Sequence, residues 1–194
     1  MNADDAFARL LTEVAAVYRA HADMTRFAPF PNNIVRQPVD PLPLPCGEWL
    51  ARETALHSDR FSTLQTAIVE AGRHAHWRAT YKDTDIGDDF LDRFGCYAII
   101  GPEGPFASDE IRLWMVYMPA QLDYTWHHHP AEEIYLVVSG QAVFRRNGAP
   151  DKMLGESQTS FHESNQSHAM TTTDAPVLCL VAWRNEFDTP PVLS

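Results

Sequence analysis

The sequence predicts a mainly β protein, an all-β sandwich or barrel whose short strands suit a small barrel, preceded by an α-helical amino-terminal extension. Three observations predict it. Apolar residues in the first third recur at helical spacing. After residue 76 the texture changes to short β-branched and aromatic runs separated by Gly, Pro, Asp and Asn clusters. The length of 194 residues, with 45% hydrophobic and 21% charged residues, is a globular balance that supports one domain or one domain with a substantial extension.

The elements follow in chain order. Residues 4 to 28 read as a helix, because Phe7, Leu10, Leu11, Val14, Val17 and Tyr18 recur at intervals of three and four behind Asp4 and Asp5 at the amino end. The segment that follows is rich in proline and includes the run Pro41-Leu-Pro-Leu-Pro45, which neither a regular helix nor a central strand tolerates. It is expected to be an extended connector. Helical character resumes over residues 47 to 76, with Trp49, Leu50, Leu56, Phe61, Leu64, Ile68 and Val69 apolar and Gly72 a stop. Eight strands are expected next: Cys96 to Ile100, Ile111 to Met118, Leu122 to His129, Glu133 to Ser139, Gln141 to Arg146, Ser157 to His162, His168 to Thr173 and Val177 to Trp183. Gly140 stands where a tight turn is expected, and Asn147-Gly148 carries a hairpin signal. The chain divides at residue 76 into a helical region with its proline connector (1–76) and a barrel (77–194).

Charge and composition exclude several functions. Fifteen basic against 26 acidic residues give a net charge of −11, which repels phosphate backbones and anionic membranes, so neither nucleic acid nor membrane is an expected partner. No apolar stretch approaches a membrane span, and Asp4 and Asp5 stand where a signal peptide needs positive charge; a cytoplasmic protein is expected. Cys46, Cys96 and Cys179 are scattered and odd in number, which argues against a disulfide framework or a thiolate metal site and places Cys179 in the core.

The chemistry concentrates in Tyr124-Thr-Trp-His-His-His-Pro-Ala-Glu-Glu-Ile-Tyr-Leu-Val-Val-Ser-Gly140. Side chains alternate faces along a strand, so His127 and His129 share one face and His128 points away; after a turn at Pro130 and Ala131, Glu133 and Tyr135 share a face. Two imidazoles and a carboxylate converging on a barrel interior suit a first-row divalent metal. His168, rather than His162, is expected to supply the fourth ligand, from its position relative to Gly155. A lone histidine in such a place is more often a satisfied core residue, but here the two alternate histidines, the glutamate and the distant histidine arrive together. Tyr135 alone reads equally well as a buried barrel tyrosine.

The spacing His127-x-His129-x3-Glu133-x6-Gly140, followed by Gly155 and His168, resembles the two motifs of the cupin superfamily, whose fold is a small antiparallel β-barrel (double-stranded β-helix or jelly roll). Phe161 and Glu163 stand where the general second motif has proline and glycine. The longer run Trp126 to Tyr135, with His168-Ala-Met-Thr, Trp183 and Gly101-Pro-Glu-Gly-Pro-Phe106, is similar to the cupin-type dimethylsulfoniopropionate lyases, most strongly from about residue 95 to 184.

That resemblance implies a β-elimination giving dimethyl sulfide and acrylate. Carried over by position, His127, His129, Glu133 and His168 would hold one divalent transition metal ion (Fe, Zn, Mn, Co or Ni), and Tyr135 would be the base. A phenol is a poor base at neutral pH, and a neighbouring dication lowers its pKa. Tyr124 is a second catalytic candidate. Tyr81, with Tyr124, is a weaker candidate for holding the substrate carboxylate or assisting the proton transfer. Recognition of a sulfonium group, which has no hydrogen-bond donor, falls to aromatic faces: Trp183, Trp126, Trp77 and Phe106 are available, with Trp126 ranked below the tyrosines because strand parity turns it from the metal face. The substrate would be a small sulfonium carboxylate, handled by a monomer or homodimer. The alternatives are a cupin oxygenase or isomerase acting on another small carboxylate, and a non-catalytic ligand-binding cupin.

Overall fold

The computed structural model describes all of residues 1–194. Its first helix, α1 (Ala3–Ala20), starts where the Asn2 side chain accepts the Asp5 N–H at 2.8 Å, and its stripe of Phe7, Leu10, Val14 and Tyr18 is buried. The single helix expected to residue 28 is broken at His21, whose backbone turns extended while its Nε2 meets the Ser157 carbonyl at 3.1 Å. α2 (Ala22–Phe27) follows at once. The proline segment is extended and contributes a two-residue strand, β1 (Val35–Arg36). The second helical region divides in the same way into α3 (Pro45–Arg52) and α4 (Ser62–Gly72), with a non-helical stretch between them tied to the barrel through Glu156. A last short helix, α5 (Asp88–Arg93), was not expected.

The strands are β2 (Gly95–Ile100), β3 (Phe106–Ala107), β4 (Arg112–Met118), β5 (Asp123–His128), β6 (Glu132–Arg146), β7 (Lys152–Gly155), β8 (Thr159–His162), β9 (His168–Thr171), β10 (Val177–Arg184) and β11 (Val192–Leu193). All pair antiparallel except β2 with β3. The strands run in the order β1-β3-β2-β4-β10-β6-β9-β5-β11, with β7 and β8 also paired to β6. The barrel and its helical extension are thus the architecture expected from the sequence.

The main correction is at Gly140. Instead of a tight turn between two strands, it bends one 15-residue strand, β6. Its first half pairs with β8 and β10, and its second half with β7 and β9. Gly140 has φ +73°, and a Cβ there would lie 1.9 Å from the Pro176 carbonyl oxygen. Only glycine permits that approach, so one strand serves both walls of the barrel.

Strand parity then sorts the core into two. Along β10, Leu178, Leu180 and Ala182 join the apolar layer beneath α1 and α4, whereas Val177, Cys179, Val181 and Trp183 line the barrel interior. β6 does the same, with Ile134, Leu136 and Val138 outside and Tyr135 and Val137 inside. The helical region therefore covers the outer face of one wall, and the inner face is left for the site.

Candidate metal centre

The register of β6 builds the centre. Glu133 is opposite His162 on β8 and Trp183 on β10. Both neighbours donate to its carboxylate: His162 Nδ1 to Oε2 at 2.9 Å, and the Trp183 indole N–H to Oε1 at 2.6 Å. On the adjoining wall β5 and β9 pair His127 with His168. His129 sits just beyond β5, its ring 4.1 Å from that of Trp183.

Three histidines are locked into one tautomer by backbone carbonyls. The Nδ1 of His127 faces Thr125 O at 2.9 Å, that of His129 faces Ala131 O at 3.0 Å, and that of His168 faces Gln166 O at 2.8 Å. A carbonyl only accepts, so Nδ1 carries the proton and the Nε2 lone pair is free for a metal. The Nε2 atoms of His129 and His168 are buried and make no well-formed hydrogen bond, although they lie 3.6 and 3.1 Å from the Glu133 carboxylate oxygens. Buried polar atoms without partners are costly, and a cation is the group that satisfies two imidazole lone pairs and a carboxylate together. Ligand atoms of His129, Glu133 and His168 all lie within 4.8 Å of one another. The residues present therefore fit a divalent metal.

Electrostatics agree. Burial alone would raise the Glu133 carboxyl, but positive charge at the His129 and His168 positions, which a bound cation would equally supply, and the hydrogen bonds it accepts hold it well below the usual carboxylate range. His127 is pushed well below the ordinary histidine value by burial and by His168, which keeps it neutral. His162 is pushed down to about 4 by burial and His168, against the opposing pull of Glu133.

The expected site residues divide accordingly. Three of the four expected ligands, His129, Glu133 and His168, form the cluster. His127 stands beside them, its ring stacked on Tyr124 at 3.9 Å and edge-on to His168 at 4.1 Å. His162 is a hydrogen-bond partner of Glu133, and the partly exposed His128 turns to Ser194 at 2.8 Å. Tyr135 lines the same cavity, of about 240 Å³, as do Tyr124 and Trp183. Its hydroxyl has no partner in the protein, whereas those of Tyr124 and Tyr81 meet at 2.9 Å. Burial, and then the Glu133 charge, raise the Tyr135 phenol well above its ordinary value.

Two expected residues are displaced from the site. Phe106 lies under the helical region, with the Arg36 guanidinium 5.6 Å from its ring, because β3, between β1 and β2, gives this side chain to the apolar layer packed with the helices. Trp126 is 39% exposed, on the face opposite His127; Tyr124, of the same parity, faces inward because the register of β5 shifts between Tyr124 and His127. Trp77 is likewise a core residue, its indole N–H donating to Gly72 O at 2.8 Å. Sequence reasoning missed Trp114 and Arg78, which line the cavity. For Trp114 the signal was present, since it shares strand parity with Val116 in the barrel interior; Arg78 lies outside any motif.

Comparison with known proteins places these features in context. The dimethylsulfoniopropionate lyase family model matches residues 19–179. The dimethylsulfoniopropionate lyase DddQ of Ruegeria pomeroyi is 40% identical over 191 residues, covering 98% of this chain and 95% of that protein. Its crystal structure superposes with a TM-score of 0.97 over 98% of this chain and 97% of that one. A structure described among the lyases RdDddP and RnDddQII is 37% identical, with a TM-score of 0.95 over all of both chains.

Proposed function

Because the chain belongs to the dimethylsulfoniopropionate lyase family, we propose that it is a metal-dependent carbon–sulfur lyase that splits dimethylsulfoniopropionate into dimethyl sulfide and acrylate. The observation that carries the mechanism is the position of Tyr135. It stands two residues from Glu133 on the same face of β6, with its hydroxyl free of protein partners beside the His129, Glu133 and His168 cluster. When bound there, a divalent transition metal (Fe, Zn, Mn, Co or Ni) would supply Lewis acidity for the substrate carboxylate and a positive field that favours the Tyr135 phenolate.

The phenolate oxygen of Tyr135 takes the proton from the carbon next to the carboxylate. The electrons of that C–H bond become the double bond of acrylate, and those of the carbon–sulfur bond leave on sulfur as neutral dimethyl sulfide. Tyr124, held by Tyr81, donates its hydroxyl to the substrate carboxylate. Trp183 presents an aromatic face to the sulfonium, worth roughly 0.5 to 2 kcal/mol. Residues 1–76 act as a structural cover for the barrel wall, and residues 77–194 carry the chemistry.

Headspace measurement of dimethyl sulfide, with acrylate measured alongside, from protein loaded in turn with iron, zinc, manganese, cobalt and nickel tests this reading. Equal amounts of the two products with at least one metal are expected. No product with any of the five overturns it.

A further inference from the structure

Arg78 stands apart from the other charged groups of the cavity. Apart from the histidines, it is the one cationic side chain in the lining, whose acidic members are Glu103, Glu133 and Asp188. Each of those acids is engaged: Glu133 in the metal cluster, Asp188 with Arg112 at 2.8 Å, and Glu103 near His76 at 3.7 Å. The Arg78 guanidinium has no carboxylate within 4.0 Å and makes no side-chain hydrogen bond. It rests over the Trp114 ring, 4.6 Å from the centroid. The Trp114 indole N–H is itself buried without an acceptor.

A half-buried guanidinium stacked on an aromatic ring keeps its in-plane N–H donors directed outward, a geometry that matches a carboxylate. From Arg78 a chain of contacts runs inward. Trp114 meets Trp183 at 5.9 Å between ring centroids, and Trp183 donates to Glu133. Inside the half-buried arginine the chain is buried throughout, with Trp114 at 7%, Trp183 at 9% and Glu133 at 2% exposure.

We infer that Arg78, over Trp114, is a carboxylate-docking site in the outer part of the cavity, which receives the carboxylate of the incoming substrate and of departing acrylate. It is a specificity determinant as well. In a chain of net charge −11, cations of every kind are attracted, and a fixed positive charge at the cavity admits those that also carry a carboxylate while repelling those that do not. This role in turnover rests on the lyase reading; the anion site itself does not.

Propionate, which has the carboxylate and no sulfonium, is the probe. Its binding to the full-length chain, both metal-loaded and metal-free so that the carboxylate site at the metal is separated from Arg78, is measured by calorimetry for wild type, R78Q and R78K, with circular dichroism melts confirming that each folds. R78Q is expected to weaken propionate about tenfold or more, with R78K recovering part of that loss. In turnover, R78Q is expected to raise KM for the sulfonium carboxylate about tenfold with kcat changed far less. Unchanged propionate affinity in R78Q overturns the inference, as does a fall in kcat at constant KM. Arg78-dependent propionate binding without any dimethyl sulfide formation leaves the anion site standing and removes the lyase reading instead.

Discussion

The indole N–H of Trp183 donates to Oε1 of Glu133 at 2.6 Å, across the ladder that pairs β10 with β6. A residue picked from the sequence as an aromatic surface for substrate is thus also the group that orients Glu133, the carboxylate of the candidate metal cluster. Replacing it with phenylalanine keeps the ring and removes the donor. W183F is expected to lower metal affinity roughly 10- to 100-fold, by the usual magnitude for a group that orients a ligand. Metal titration with a competing chelator measures this, and unchanged affinity would show that the hydrogen bond is idle.

The histidines make the protein sensitive to acid. His162 titrates near 4 in the folded state and His127 is also depressed, while an unfolded histidine titrates near 6.5. Between those values the unfolded chain binds more protons than the folded one, so stability is lost as pH falls from 6.5 towards 4. His162 alone contributes on the order of 3 kcal/mol to the total loss across that interval. Thermal melts of metal-free protein at pH 7, 5.5 and 4.5 should decline steadily, and H162N should flatten the decline. A flat profile in wild type would contradict the assignment.

Gly140 is the bend on which the barrel depends. In G140A the new methyl meets the Pro176 carbonyl in a left-handed backbone, and the expected destabilisation exceeds about 4 kcal/mol. Soluble yield and melting temperature report it. A variant that melts within a few degrees of wild type would mean that the strand can straighten.

The helical cover is expected to matter for stability and not for chemistry. Leu10 is fully buried in the apolar layer shared with the barrel wall. L10A should cost about 2 to 5 kcal/mol, lowering the melting temperature by roughly 5 to 15 °C, while kcat at 20 °C stays within about twofold of wild type. A selective loss of kcat would show that the cover participates in catalysis.

Much of this arrangement is legible in the sequence, and the exceptions have physical causes. Alternation along strands put Glu133 and Tyr135 on one face and turned His128 and Trp126 outward, because a period of two is fixed by the pleat. The breaks at His21 and after Arg52 leave no mark in the sequence because helical periodicity continues across them; long-range bonds to Ser157 and Glu156 bend the chain there. The positions of Phe106, His162 and Arg78 depend on which strands become neighbours, and local pattern carries no record of that. His127 illustrates the same limit: spacing pairs it with His129, whereas the fold stacks it on Tyr124 beside the compact trio.

The most direct test of the account is the rate of dimethyl sulfide release from Y135F against wild type, at matched metal content. Y135F should bind metal and melt like wild type, yet release dimethyl sulfide about 100-fold or more slowly, the scale expected for loss of a general base. Release by Y135F within about threefold of wild type would contradict the assignment of Tyr135 as the base.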